Sequence, residues 1–218
     1  MATYAIVGTG GHGRETMAMA RRMPALQAKG IELVFVDKEV VRSTVNGFKV
    51  METEEFLDLP GEKYFNPAIA NSAIRRRVAG EMNHAGVPAF SVFAENFCQL
   101  DENNLGEGAI FSPFTTVTVN VSIGAYFHAN NYAYISHDCR IGDFVTFAPG
   151  VHCNGNVVIE DDAYIGAGAV IRQGNPSAPL VIGEGATVGM GAVVTRNVLA
   201  GTTVYGNPAK EPGVRVTG

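Results

Sequence analysis

The sequence predicts a small α/β domain over residues 1–95 followed by a parallel β-helix over residues 96–218. Three observations carry this expectation. From Leu105 to about Tyr205 an apolar residue returns at nearly every sixth position, a period that neither a helix nor an alternating strand produces. Ahead of it, a short apolar run leads straight into Gly8-Thr9-Gly10-Gly11-His12-Gly13, the mark of a tight strand-to-helix turn. Between residues 93 and 100 the first pattern stops and the second starts, without a low-complexity segment or a flexible linker.

In the α/β part, residues 4–7 read as a short buried strand and residues 14 to about 23 as a helix. The glycines between them bare backbone N–H groups that can face a phosphate at the helix N-terminus. A second strand over residues 32–36 ends at Asp37, where an acid following such a turn can meet a ribose. A third strand over residues 64–70 runs into Asn71-Ser72, a good cap for a helix over residues 73–85; Gly86 closes that helix and a last strand covers residues 88–93. Only about 95 residues precede the six-residue frame, roughly half of a doubly wound dinucleotide fold. The domain is therefore Rossmann-like in kind but sized for one nucleotide. In the basic run Arg75-Arg76-Arg77, Arg75 lies one turn past the cap and is the one placed to reach a phosphate, with a solvated basic face as the alternative.

In steps of six the second part reads Leu105, Phe111, Val117, Ile123, Ala129, Ile135, Ile141, Phe147, Cys153, Ile159, Ile165 and Ile171, then Ile182, Val188, Val194 and Ala200. Slim residues recur four positions later, from Ala109 and Thr115 to Ala186 and Ala192. A hexapeptide period builds three short strands into one triangular coil, and stacked coils bury a continuous column of side chains. The glycines after many first positions, such as Gly106, Gly124 and Gly142, are expected to serve the corners. The frame is interrupted once, over residues 172–180, where five extra residues rich in Gly, Asn and Pro separate Ile171 from Ile182. Such an insertion at a corner is an outward loop, either a tolerated bulge or a lip over a substrate.

A formal charge of −5 over 218 residues speaks against nucleic acid or an anionic membrane as partner, so any phosphate site has to be local. Three cysteines without framework spacing fit a reduced, cytoplasmic setting. No apolar run approaches transmembrane length, and the N-terminus lacks a secretory pattern.

The frame also separates chemistry from core filling. Cys153 falls on an inward position and Cys139 on a slim one, so both read as small hydrophobes rather than nucleophiles. His137 stands two positions past Ile135, outside the column, with Asp138 beside it. An imidazole there can act as a general base, and the neighbouring carboxylate can fix its tautomer. A zinc site would need three convergent imidazoles, but His137 occupies a different place around the coil from His128 and His152, so no metal is expected.

The phrases IGAY, IGDF, IGAGAV, IGEGAT, VGMGAV and YGNPAK resemble the left-handed β-helix acyltransferases. The left hand is implied by that resemblance, since the general crossover rule favours the right. More specifically GTGGHGRE, SHDCRIGDF and APGVHCNGNVVIEDDAYIGAGAVI resemble the sugar-nucleotide N-acetyltransferases of 4-amino-4,6-dideoxy sugars, the bacillosamine and perosamine enzymes, over nearly the whole chain. The resemblance implies His137 as base with Asp138 steadying it. It implies that Gly10, Gly11, His12 and Gly13 line the nucleotide-sugar diphosphate and that Asp37 meets the nucleotide; Lys38, Asn71, Ser72 and Arg75, from their positions, complete the candidate nucleotide-sugar set. It also implies acetyl-CoA as donor, lying between two subunits of a homotrimer along Thr146, Gly155, Ala167, Gly168, Met190 and Lys210, with the Gly155 N–H on the acetyl carbonyl. Two departures stand out: many members carry histidine where this chain has Thr146, and glycine where it has Ala70. An O-acetyltransferase acting on a sialic acid or another sugar hydroxyl is the alternative, since one histidine serves either acceptor.

Overall fold

The computed structural model describes residues 1–212. They form two compact units, one of Met1–Glu95 with Glu107–Ile110 and one of Asn96–Gly106 with the chain from Phe111 onward.

The first unit is a five-stranded sheet in the order β3-β4-β2-β1-β5, from β1 (Ala2–Val7), β2 (Ile31–Val36), β3 (Thr44–Val45), β4 (Phe48–Met51) and β5 (Glu62–Pro67). All neighbours are parallel except the β3–β4 hairpin. Val7 pairs with both Val36 and Pro67, so the carboxyl ends of β1, β2 and β5 finish side by side, where open α/β sheets hold ligands. Three helices accompany the sheet: α1 (Gly11–Ala20), α2 (Thr53–Asp58) and α3 (Ser72–His84). Buried Ile6, Met17, Ala20, Phe35 and Val92 belong to its core.

α1 begins three residues before the expected start, because the Arg14 N–H already donates to Gly10 O (3.0 Å). β5 stops short of Ala70: the Ala68 and Ile69 N–H groups turn back onto Asn66 O and Pro67 O. The expected last strand shrinks to Val92–Phe93 with one bridge at Ala89. The β3–β4 hairpin and α2 escaped the sequence reading. Asn46-Gly47 at its turn, both at positive φ, is a recognisable hairpin signal.

The second unit is the left-handed parallel β-helix. Its strands are two or three residues long and stack into three parallel sheets. Thr116 pairs with Tyr134, Tyr134 with His152 and His152 with Val170, one 18-residue coil apart each time. The next partner of Val170 is Val193, so the insertion shows directly in the register. Ile135, Cys153, Ile171 and Val188 belong to a buried column, and the slim positions Ala133, Cys139, Val157 and Ala192 are buried too.

Two expectations need correction. The left-handed corner residue is the third after the inward one, at Asp138, Phe144, Gly150, Asn156, Asp162 and Gly168 (φ 56 to 69°). Gly124 and Gly142 are needed for another reason: a Cβ on them would overlap Asp143 Oδ1 and Asp161 Oδ1 of the next coil. Those carboxylates cap the stack, Asp143 Oδ1 accepting from Ala125 N (2.8 Å) and Asp161 Oδ1 from Asp143 N (2.9 Å). The frame also slips after Val194: Val198 pairs with Ile182 and is buried, and Ala200 is exposed.

Candidate active site

His137 and Asp138 sit together at one corner of the β-helix, between the strands Tyr134–Ile135 and Arg140–Ile141. His137 Nδ1 lies 2.7 Å from Asp138 Oδ2. An ionised carboxylate only accepts, so Nδ1 carries the hydrogen and Nε2 keeps its lone pair for a proton. The corner is pinned from both sides. Asp138 N–H donates to Val119 O (3.1 Å) in the coil before, and Asn156 N–H donates to His137 O (3.0 Å) from the coil after. Asn120 Nδ2 reaches Asp138 Oδ1 at 3.3 Å. Asn120 escaped the sequence reading, although the frame could have found it, one coil of 18 residues before Asp138.

Gly155 occupies the same corner one coil later, and the His137 ring lies against it. A Cβ built on Gly155 would stand 2.5 Å from both Cε1 and Nε2. Among the described residues no group accepts from the Gly155 N–H, while its carbonyl accepts from Gly174 N at 3.0 Å. That bond anchors the 172–180 insertion to the corner. The loop is internally tied: Asn175 and Ala178 exchange backbone bonds (3.2 and 3.1 Å), and Asn175 Oδ1 accepts from Ala178 N (2.8 Å). Asn175, Pro176 and Pro179 face Asp138, Arg140 and Asn156 across a cavity of about 310 Å3. The insertion is thus a wall beside the His–Asp corner.

Ala167, Gly168 and Met190 lie on another corner, after the strands Tyr164–Ile165 and Thr187–Val188, whereas Thr146 lies within a strand. Gly168 N–H donates to Pro149 O (2.9 Å), Gly191 N–H to Ala167 O (2.8 Å), and Lys210 exchanges backbone bonds with Tyr205 (3.0 Å) at the end of that edge. Met190 is 81% exposed, whereas Thr146 is buried in its strand between His128 and Tyr164. One chain therefore presents the two sets on different corners and does not bring them together.

Buried Cys139 and Cys153 have their sulfurs 4.0 Å apart. The contact with Cys139, then burial, holds the Cys153 thiol well above its ordinary pKa, in the unreactive form. Among the described residues no cluster of three or more His, Cys, Asp or Glu side chains could hold a metal, and no helix is long and apolar enough to cross a membrane.

In the first unit, the glycines divide by role. A Cβ on Gly10 or Gly11 would meet open space, leaving bare backbone for a ligand to approach. Gly13 is buried, and a Cβ there would overlap Gly8 O, so it lets the helix pack on the turn rather than touching a phosphate. Asp37 serves the same turn: Oδ2 accepts from the Thr9 N–H (3.0 Å) and hydroxyl (2.6 Å), and Oδ1 from Lys38 N (2.9 Å). Asn71 Oδ1 caps α3 by accepting from Ile74 N (3.0 Å), with Ser72 the first helical residue. Arg75 departs from expectation. It is fully buried, and Nη1 donates to Ile69 O (2.7 Å) and Ala70 O (3.3 Å), so it shapes the loop after β5 from beneath. Burial, reinforced by the Arg75 charge, lowers the pKa of His12 to about 4 and keeps the imidazole neutral.

Residues 4–82 match the PglD N-terminal domain. The GDP-perosamine N-acetyltransferase of Escherichia coli O157:H7 is 52% identical over 213 residues, 97% of this chain and 96% of that protein. The chain belongs to the left-handed β-helix nucleotide-sugar N-acetyltransferases. Among solved structures, this N-acetyltransferase is similar to WeeI from Acinetobacter baumannii AYE, with a TM-score of 0.90 and 45% identity covering 97% of this chain and 100% of that one. The acetyltransferase domain of PglB from Neisseria gonorrhoeae FA1090, in complex with acetyl coenzyme A, matches with a TM-score of 0.85 and 30% identity over 96% of this N-acetyltransferase and 98% of that chain.

Proposed function

We propose that this N-acetyltransferase moves the acetyl group of acetyl-CoA onto the C4 amine of a GDP-linked 4-amino-4,6-dideoxy sugar, GDP-perosamine or a close relative, with His137 as general base. The observation that carries the mechanism is the His137 ring held by Asp138 and lying against Gly155. The 52% identity to a GDP-perosamine enzyme over nearly both chains supports the substrate.

The amine attacks the thioester carbonyl, forming the C–N bond, and Nε2 of His137 takes the surplus amine proton. The negative charge that builds on the carbonyl oxygen is met by the Gly155 N–H, which has no acceptor among the described residues to give up. Collapse breaks the C–S bond, and the proton returns from His137 to the departing sulfur. No acyl-enzyme is involved, consistent with both buried cysteines. The acetyl-CoA groove is assigned to Ala167, Gly168, Met190 and Lys210 of a neighbouring subunit in a homotrimer, because those residues lie on a different corner from His137 within one chain. The neutral His12 and the bare backbone at Gly10 and Gly11 are assigned to the diphosphate.

The test is steady-state turnover of His137→Ala on GDP-linked, UDP-linked and dTDP-linked 4-amino sugars and on free sialic acid. A fall in kcat/KM of about 10²- to 10⁴-fold is expected. Unchanged kcat/KM removes the base from the scheme, and faster acetylation of sialic acid than of the amino sugars makes it an O-acetyltransferase.

A further inference from the structure

Beyond the end of β2 the first unit holds a cavity of about 370 Å3 that the proposed chemistry leaves unused. Thr9 of the glycine turn and Arg14 of α1 line it, as do Glu39, Arg42 and residues of the β3–β4 hairpin. Asp37 lies at the same strand end, where it accepts from Thr9 and from Lys38 N and so builds the turn beside the cavity. The charged side chains around the cavity are Arg14, Glu39 and Arg42, and its apolar surface is valine, at Val41, Val45 and Val50. A mostly polar lining over a small valine surface suits a heterocycle recognised by the hydrogen-bonding groups at its edge.

The carboxylate decides which heterocycle. It can only accept, so it fits an edge with two adjacent donors. Guanine carries N1–H and the N2 amino group side by side, and its O6 and N7 are paired acceptors for a guanidinium. Uracil and thymine offer one N–H between two carbonyl oxygens, so a carboxylate there meets one donor and two repelling lone pairs. Adenine sets its amino group beside an unprotonated ring nitrogen. Cytosine does the same.

We propose that this cavity is the nucleobase site and that Glu39 selects guanine, accepting from N1–H and the N2 amino group while Arg42 donates to O6 and N7. Glu39 is then a specificity-determining residue, and Arg14, nearer the glycine turn, faces the ribose and phosphates. The assignment rests on the reading of a GDP-linked acceptor but goes further, since it says which side chain makes that choice.

Calorimetric binding of plain GDP and UDP to the wild-type protein, Glu39→Gln and Arg42→Ala tests it. Glu39 and Arg42 are exposed, so the variants keep their fold, and equal melting temperatures verify this. The wild type is expected to prefer GDP over UDP. Glu39→Gln should lose about 10- to 100-fold of its GDP affinity and little of its UDP affinity, the scale on which an unmatched hydrogen-bonding edge discriminates. Arg42→Ala should weaken GDP more than UDP. A Glu39→Gln protein with the wild-type GDP-to-UDP ratio overturns the guanine assignment while leaving the N-acetyltransferase reading intact, provided the wild type acetylates a GDP-linked amino sugar. Wild-type preference for UDP, in binding and in turnover, overturns both.

Discussion

His137 owes its setting to a residue with no side chain. The imidazole fills the space where a Gly155 Cβ would stand, so Gly155→Ala should swing the ring off Asp138 and crowd the Gly155 N–H. Turnover is expected to fall about 100-fold or more, because small misplacements of reacting groups are costly, while the melting temperature changes little at this half-exposed corner. His12 is the counterpart in the first unit. Its folded pKa of about 4 lies below the ordinary 6.5, so the unfolded chain binds the proton first. Stability is therefore full above the unfolded value, declines as pH falls from 6.5 towards 4, and is not lost further below that. The contribution is on the order of 3 kcal/mol. Urea melts from pH 7 to pH 4 should show that decline, and His12→Gln should flatten it.

The insertion and the coil contacts act as elements. A Cβ on Gly174 would overlap Asn156 O and come within 2.5 Å of Leu180 N, so Gly174→Ala should lift the loop off the corner. With the wall beside Asp138 displaced, KM for the sugar should rise roughly tenfold with a smaller change in kcat, as expected for lost positioning of a bound substrate. Gly142 tests the stacking instead. An added methyl meets Asp161 Oδ1, and Asp161 N at 2.7 Å, so Gly142→Ala should cost about 1–3 kcal/mol or more in denaturant melts. The β-helix has little slack to absorb the methyl, since strands of two or three residues depend on the coils above and below.

At the scale of the whole molecule, the two corners make a prediction about assembly. If His137 of one subunit works on acetyl-CoA held along Ala167 and Met190 of the next, then His137→Ala and Ala167→Trp spoil different halves of one site. Each variant alone should be strongly impaired. Trimers reassembled from an equal mixture should recover activity, up to about a quarter of wild type for random assortment of a three-fold ring. Failure to recover activity in verified mixed trimers, measured by thiol release, would place the whole site within one chain.

The six-residue period determined the β-helix, the inward cysteines and the exposed position of His137, because one inward side chain per strand leaves its mark in every coil. The glycine turn likewise determined the strand-to-helix crossing of the first unit. The period could not distinguish a glycine required by φ from one required by contact, since Gly142 is excluded from bearing a Cβ by Asp161 of the following coil. It also missed the slip from Ala200 to Val198, which is settled by pairing with Ile182. In its basic run Arg75 reads as the cation placed to reach a phosphate, and only the tertiary fold shows it buried with Ile69 and Ala70 offering it their carbonyls. Spacing along a chain records what each residue does for its own strand or helix. Which carbonyl, carboxylate or imidazole arrives from another coil is decided by the fold.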